Sequence, residues 1–366
     1  MRIGITMDFS ISFWANGMQQ NIVFLYSLLK RIPDVDCFYL FNTVPPHSLD
    51  RSHKGHFLHE FIEDSTEHLD CLIIAGYDLS SQYYNELVKR NPKLKIILIH
   101  YGNKLFDDMH HSVGPETSIS PVLAPSFDFE VWTSPHYEFA IPYLKSYYDT
   151  SKVYIAPYIW DPMFVQSKLK SLSHKKLNLT YSSVNAKKVC IFEPNKTVSK
   201  SCIIPLSIVN QFDSYFPSEL ESCSVFCTKF LRKKSFFQKY INRLHISNKN
   251  NFLYFNNRWS MTEACARYGN IIVSHQIANE LNYLYFESLY LGFPLIHNSP
   301  TLSDYGYYYD GFNVSLGANQ IHNAILNHAD CLESYKNDNQ VLFSKYSPFN
   351  LNNIKGYEFL LKDNKE

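Results

Sequence analysis

The stretch NIIVSHQIANELNYLYFESLYLGFPLIHNSPTLSDYG, residues Asn270 to Gly306, reads as strand, turn, short helix, strand and loop. Asn270–Ser274 is a compact apolar run of the kind that forms a strand buried on both faces of a parallel sheet. Asn282 is placed to cap a helix running to about Leu291, and Gly292 stands where a C-terminal glycine ends one. Phe293–His297 is the next buried strand. Within the helix Tyr283, Glu287 and either Tyr290 or Leu291 lie three or four residues apart and share a face. One carboxylate is therefore set on a mostly aromatic face of a strand–helix–strand unit, and such units bind ligands beyond the carboxyl ends of their strands. A glutamate there can accept both hydroxyls of a nucleotide ribose, while the helix N-terminus offers N–H groups to phosphate. The plain alternative is a solvated Glu287 on an ordinary helix. Tyr283, Phe286 and Tyr290 argue against it, because they leave little water around a carboxylate that is costly to bury alone.

Outward from this unit the alternation of strands and helices continues. In the first half, Arg2–Met7, Cys37–Asn42, Cys71–Ala75, Leu94–His100, Val131–Ser134 and Val153–Tyr158 read as strands. Met18–Arg31, Ser81–Lys89 and Tyr137–Ser146 read as the helices between them. Residues 161–187 are polar and basic without sustained periodicity, which reads as a linker. Alternation resumes at Val189–Glu193, Ile203–Asp213, Cys223–Lys229 and Phe252–Phe255, and an Ala318–Asn327 helix follows the signature unit. The expectation is an α/β chain of two Rossmann-like domains facing across a cleft, residues 1–160 and 188–349, with a C-terminal helix in 350–366 returning to the first.

The chain has 366 residues, enough for two cores. A hydrophobic fraction of 45% with 19% charged residues excludes global disorder. With a formal net charge of zero and a pI of about 7.2, no global field draws it to nucleic acid. No apolar run reaches the length of a membrane span. MRIGIT enters a strand at once, so no signal peptide is expected, and the scattered cysteines read as reduced thiols of a cytoplasmic protein.

The segment SHQ–x5–NYLYFESLYLGFPLIHNS, followed by Asp304 and Gly306, resembles the signature of an uncharacterised, glycosyltransferase-like family of bacteria and tailed phages. Trp14, Asn16, Gly17 and Asn21, then Val131-Trp132-Thr133, then Phe192-Glu193-Pro194-Asn195 with Lys200 extend the resemblance over nearly the whole chain. A more distant similarity is to GT-B glycosyltransferases, phage DNA glucosyltransferases among them, whose second domain carries a glutamate that grips the donor ribose. Glu287 is the matching position. The resemblance implies a metal-independent enzyme that takes a sugar from a nucleoside diphosphate, UDP favoured. Its acceptor would be a hydroxylated base in phage DNA, with a glycan or small carbohydrate as the alternative. A non-catalytic nucleotide-sugar-binding protein of the same fold is the rival reading. Ala15 and Ala278 stand where the family pattern places acids, which leaves the catalytic base open.

Candidate residues follow the strands. In the first domain Asp8, His100, His136 and Asp108 are candidate bases for an acceptor hydroxyl. Trp14, Asn16 and Gly17 form a candidate acceptor loop, although no full dinucleotide fingerprint is present. In the second, Asn195, Lys200 and Arg258 are placed to meet a diphosphate, and His275, Gln276, Asn282 and Tyr283 to meet phosphates, sugar or ribose. Asp34-Val35-Asp36 precedes a strand, the wrong end for a donor metal, and His53, His56 and His59 read as a solvated loop. Lys229–Tyr240 interleaves basic and aromatic residues, as a nucleic-acid surface does. It reads equally as a helix with buried phenylalanines and solvated lysines.

Overall fold

The computed structural model describes residues 1–8, 17–41, 55–57, 69–77, 79–113, 128–173, 180–183 and 186–362. Two compact units divide the chain: Met1–Asp161 with Ser344–Glu366, and Pro162–Phe343.

The first unit runs β1 (Arg2–Met7), α1 (Gly17–Leu29), β2 (Asp36–Phe41), β3 (Gly55–Phe57), β4 (Cys71–Ile74), α2 (Ser81–Arg90) and β5 (Lys95–His100). It continues through α3 (Lys104–Val113), β6 (Glu130–Thr133), α4 (Ile141–Tyr148) and β7 (Val153–Ile155). Its seven strands pair in the order β3-β2-β1-β4-β5-β6-β7, every ladder parallel. Segments such as Cys-Leu-Ile-Ile at 71–74 are buried at every position, as a sheet covered on both faces requires. The chain reverses its direction of travel between β1 and β4. There Gly76 passes so close to β1 that a Cβ would sit 2.6 Å from the Thr6 carbonyl oxygen. Thr6 Oγ1 accepts from the Ala75 and Gly76 amides at 2.9 and 3.1 Å, fixing that turn. The C-terminal helix, Leu351–Lys362, packs in this unit: Tyr357 donates to the Pro157 carbonyl at 2.9 Å and Lys95 Nζ to that of Leu360 at 2.9 Å.

The second unit begins α5 (Met163–Ser173), β8 (Lys188–Ile191), α6 (Ile203–Tyr215), β9 (Ser222–Val225), α7 (Ser235–Ile241), β10 (Leu253–Phe255) and α8 (Met261–Tyr268). It ends β11 (Ile271–Val273), α9 (Tyr283–Tyr290), β12 (Leu295–His297), β13 (Tyr307–Tyr308), α10 (Val314–Asn327) and α11 (Leu332–Tyr346). Its parallel sheet has the order β10-β9-β8-β11-β12-β13, with the reversal between β8 and β11. α9 starts after its Asn282 cap, whose side chain accepts from the Leu284 amide, and Gly292 closes it with φ of 71°. Tyr335 donates to the Phe293 carbonyl at 2.9 Å and Asn339 to that of Leu289 at 3.3 Å, so α11 braces the end of α9.

Several elements differ from the sequence expectation. Helix α5 occupies part of the stretch read as a linker, and α3, α8 and α11 were not anticipated. Helix α3 carries Leu105, Phe106, Met109 and Val113 at helical spacing but fully buries none of its residues. Asp34 of the Asp34-Val35-Asp36 pattern is in a left-handed turn (φ 63°) at the entry to β2. His53 and His59 lie outside the described residues. Among the described residues no helix is long and apolar enough to cross a membrane.

Candidate functional site

The second unit's reversal point carries a buried carboxylate. Glu193 follows β8, is 0% exposed, and faces the residues that follow β11. It accepts from the Ser274 hydroxyl, from the His275 amide at 3.2 Å and from Gln276 Nε2 at 2.8 Å. Burial pushes its carboxyl up to about 7, against the pull of the Ser274 hydroxyl, the His275 amide and Lys200. Gln276 is itself held on every side. Asn279 donates to its Oε1 at 2.6 Å, and its backbone N–H and carbonyl pair with the Asn298 amide at 2.9 Å each. Gln276 is thus a brace between Glu193 and the loop after β12.

His275 points differently. Its Nδ1 lies 2.9 Å from the Tyr309 hydroxyl and its ring packs 4.7 Å from Phe312. Its Nε2 is buried without a hydrogen-bond partner among the described residues, as is Ser199 Oγ. Burial lowers the imidazole to about 4, so the ring is neutral at physiological pH. Buried polar atoms are nearly always satisfied, and one left over at a strand end is the kind of atom a ligand completes.

The loop after β8 brings the cations. Asn195 adopts φ of 57°, donates to the Glu193 carbonyl at 2.7 Å and accepts from the Cys202 amide at 2.8 Å. Both ends of its side-chain amide are engaged within the loop. It therefore clamps the turn that carries Lys200. Ile277 N–H bonds the Ser199 carbonyl at 2.9 Å, docking this loop on the one after β11. Burial raises the Cys227 thiol at the end of β9, while Arg258 and Lys196 pull it down and Glu193 pushes it up. Those charges therefore gather around the ends of β8, β9 and β10.

On α9, Tyr283 is buried and Glu287, one turn on, is half-buried. Among the described residues the Glu287 carboxylate has no hydrogen-bond or ion-pair partner, and burial raises it to about 7. Asn282 serves as the helix cap at 3.1 Å.

The first-unit candidates spread along one sheet edge. Asp8 follows β1 at the reversal point, its carbonyl accepting from Gln19 Nε2 at 2.7 Å. His100 ends β5, 2.9 Å from the Tyr148 hydroxyl, and burial lowers it to about 4, with Lys104 adding to the shift and Asp108 opposing it. Asp108 is paired with Lys104 and accepts from the Tyr143 hydroxyl. His136, after β6, packs its ring 3.9 Å from that of Tyr137. Gly17 opens α1, its carbonyl accepting from Asn21 at 3.0 Å, whereas Trp14 and Asn16 lie outside the described residues.

The model of a family described as protein of unknown function (DUF2827) matches residues 3–361. The chain belongs to the DUF2827 family. Among curated proteins none matches it by sequence. Solved structures share its fold at low identity. One is a mutant of TarM from S. aureus, in complex with fondaparinux, alpha-GlcNAc-glycerol and UDP: 10% identity, TM-score 0.52, 82% of this chain covered. This chain spans only 58% of that TarM chain. WaaG, a glycosyltransferase involved in lipopolysaccharide biosynthesis, matches over 99% of this chain and 100% of its own at 9% identity and TM-score 0.53. T4 phage BGT, in complex with its UDP-glucose substrate, matches over 99% and 100% at 10% identity and TM-score 0.54. The DUF2827 chain therefore has the α/β architecture of GT-B glycosyltransferases, two Rossmann-like units each built on a parallel sheet.

Glu193 is the site residue that sequence reasoning passed over. Its signal was present: an apolar strand running straight into Glu-Pro, where the proline ends the ladder and leaves the acid at the sheet's carboxyl edge. What pairs with it comes from about eighty residues later.

Proposed function

We propose that this chain is a glycosyltransferase that moves a sugar from a nucleoside diphosphate, a UDP-sugar in the favoured form, to a hydroxyl acceptor. The observation that carries the reading is Glu287, a half-buried carboxylate with no partner among the described residues, on the helix that follows the second unit's reversal point. Ribose hydroxyls are the donors it would accept. Lys200, Arg258 and the positive end of α9 would hold the diphosphate, charge that grows as the nucleotide departs. When the Tyr309 hydroxyl donates to His275 Nδ1, the neutral ring carries its proton on Nε2 and offers a donor to a phosphate or sugar oxygen. The UDP preference rests on the UDP and UDP-glucose complexes of TarM and T4 phage BGT.

We assign acceptor activation to Asp8 by its position at the first unit's reversal point. Asp108 is ion-paired, and an imidazole held near 4 makes His100 a weak base at neutral pH. The likenesses to WaaG and to T4 phage BGT are equal in depth, and two acceptor classes stand side by side, a glycan and a hydroxylated base in phage DNA. A panel of UDP-, GDP- and dTDP-sugars, read by thermal stabilisation and by slow donor hydrolysis, tests the reading. UDP-sugars are expected to stabilise the protein and to be hydrolysed. Stabilisation without hydrolysis or transfer would favour a nucleotide-sugar-binding protein, and no stabilisation by any donor would remove the site.

A further inference from the structure

A net charge of zero conceals an uneven distribution. Between Glu221 and Glu263 there is no aspartate or glutamate, while Lys229, Arg232, Lys233, Lys234, Lys239, Arg243, Lys249 and Arg258 all fall in that interval. Lys249 is neutralised by Asp213 at 2.6 Å, and Arg258 is placed with the diphosphate site. The six others are exposed, and none makes an ion pair among the described residues.

Two phenylalanines stand among them. Phe230, before α7, and Phe236, on it, are 76% and 74% exposed, while Phe237 and Ile241 of α7 are buried. The backbone that displays them is well tied. Arg232 N–H bonds the Thr228 carbonyl at 3.1 Å, Lys234 that of Leu231 at 2.8 Å and Gln238 that of Lys234 at 3.1 Å. Gln238 Nε2 closes back on the Arg232 carbonyl at 2.8 Å. Phe237 packs edge-on against Phe255, and Tyr240 donates to the Ile203 carbonyl at 2.9 Å, anchoring the base of this knuckle.

We propose that the knuckle Lys229–Arg243 docks on an anionic lipid surface, its cations against headgroups and the Phe230 and Phe236 rings in the boundary between headgroups and acyl chains. Charge selects the partner class: six unopposed cations fit a polyanionic surface. Exposure selects within it. A ring that stacks on a nucleobase rests one face on protein, whereas a ring three-quarters exposed stands clear of the protein and is shaped to insert. The proposal is independent of the donor reading, since none of these side chains is assigned to the nucleotide.

The test uses the full chain with vesicles of phosphatidylcholine, with and without phosphatidylglycerol, at several salt concentrations. The wild type is expected to partition onto the phosphatidylglycerol vesicles, less so as salt rises. Replacing Arg232, Lys233 and Lys234 by Ser should lower that partitioning about a hundredfold. Phe230→Ser with Phe236→Ser should weaken binding at every salt concentration and leave the salt slope unchanged. Both variants should keep the thermal midpoint and UDP affinity of the wild type, because the altered side chains are exposed. Absence of vesicle binding by the wild type at low salt overturns the proposal. So does binding that both variants retain. Binding to an oligonucleotide instead, lost in the triple variant, would assign the knuckle to nucleic acid.

Discussion

At Glu287 a carboxyl held near 7 meets ligand hydroxyls that favour its ionised form. Binding of UDP between pH 6 and 7 is therefore expected to release a proton from Glu287 beyond what the UDP phosphate itself releases, and the release should be smaller in Glu287→Gln. Calorimetry in two buffers of different ionisation heat measures it, and an equal proton release by wild type and Glu287→Gln would exclude the contact. The same variant should lose about 1–3 kcal/mol of UDP affinity, the usual worth of a hydrogen bond to a charged group. Lys200 acts at a different stage. Since charge on the departing diphosphate grows in the transition state, Lys200→Ala should lower kcat more than it weakens binding of the nucleoside alone. Equal turnover at saturating donor would show that Lys200 takes no part in departure.

The loop after β8 shows how an element sets a site. Asn195 supplies both a left-handed backbone and a two-ended amide, and the turn bearing Lys200 hangs from it. Asn195→Ala should cost roughly 2 kcal/mol from the lost bonds. Asn195→Gly, which keeps the left-handed backbone accessible, should cost about 1 kcal/mol less. Urea unfolding of the two variants decides it, and an alanine variant as stable as the glycine one would show that the backbone there is unconstrained. Helix α9 was legible because cap, aromatic face and closing glycine are local signals. Helices α5 and α11 were not, because apolar and polar residues are mixed around them, whereas α3 was overlooked although Leu105, Phe106, Met109 and Val113 recur at helical spacing.

Over the whole molecule, buried titratable groups pull stability in opposite directions. Burial lowers His100, His275 and His297 to about 4, well under the 6.5 of a free imidazole. Their contribution is complete above pH 6.5 and is lost as the pH falls towards 4, because the unfolded chain binds those protons first. Glu193 and Glu287, raised from 4.5 to about 7, act with the other sign: their contribution is complete below pH 4.5 and is lost as pH rises through 7. Three groups outweigh two, so denaturant stability should rise from pH 4.5 to 6.5. In Glu193→Gln that rise should be steeper, because one opposing group is gone; an unchanged slope would contradict the raised Glu193 carboxyl. None of these shifts is written in the sequence. The sequence by itself determined the parallel α/β alternation and the strand–helix–strand unit around Glu287, because continuous apolar runs, caps and glycine stops act over a few neighbours. Only the tertiary structure decided that β8 and β11 lie side by side. That pairing joins Glu193 to Ser274 and Gln276, and folding buries His275 with its Nε2 left without a partner among the described residues. Strand order and desolvation depend on contacts between residues far apart in the chain, which no local pattern encodes.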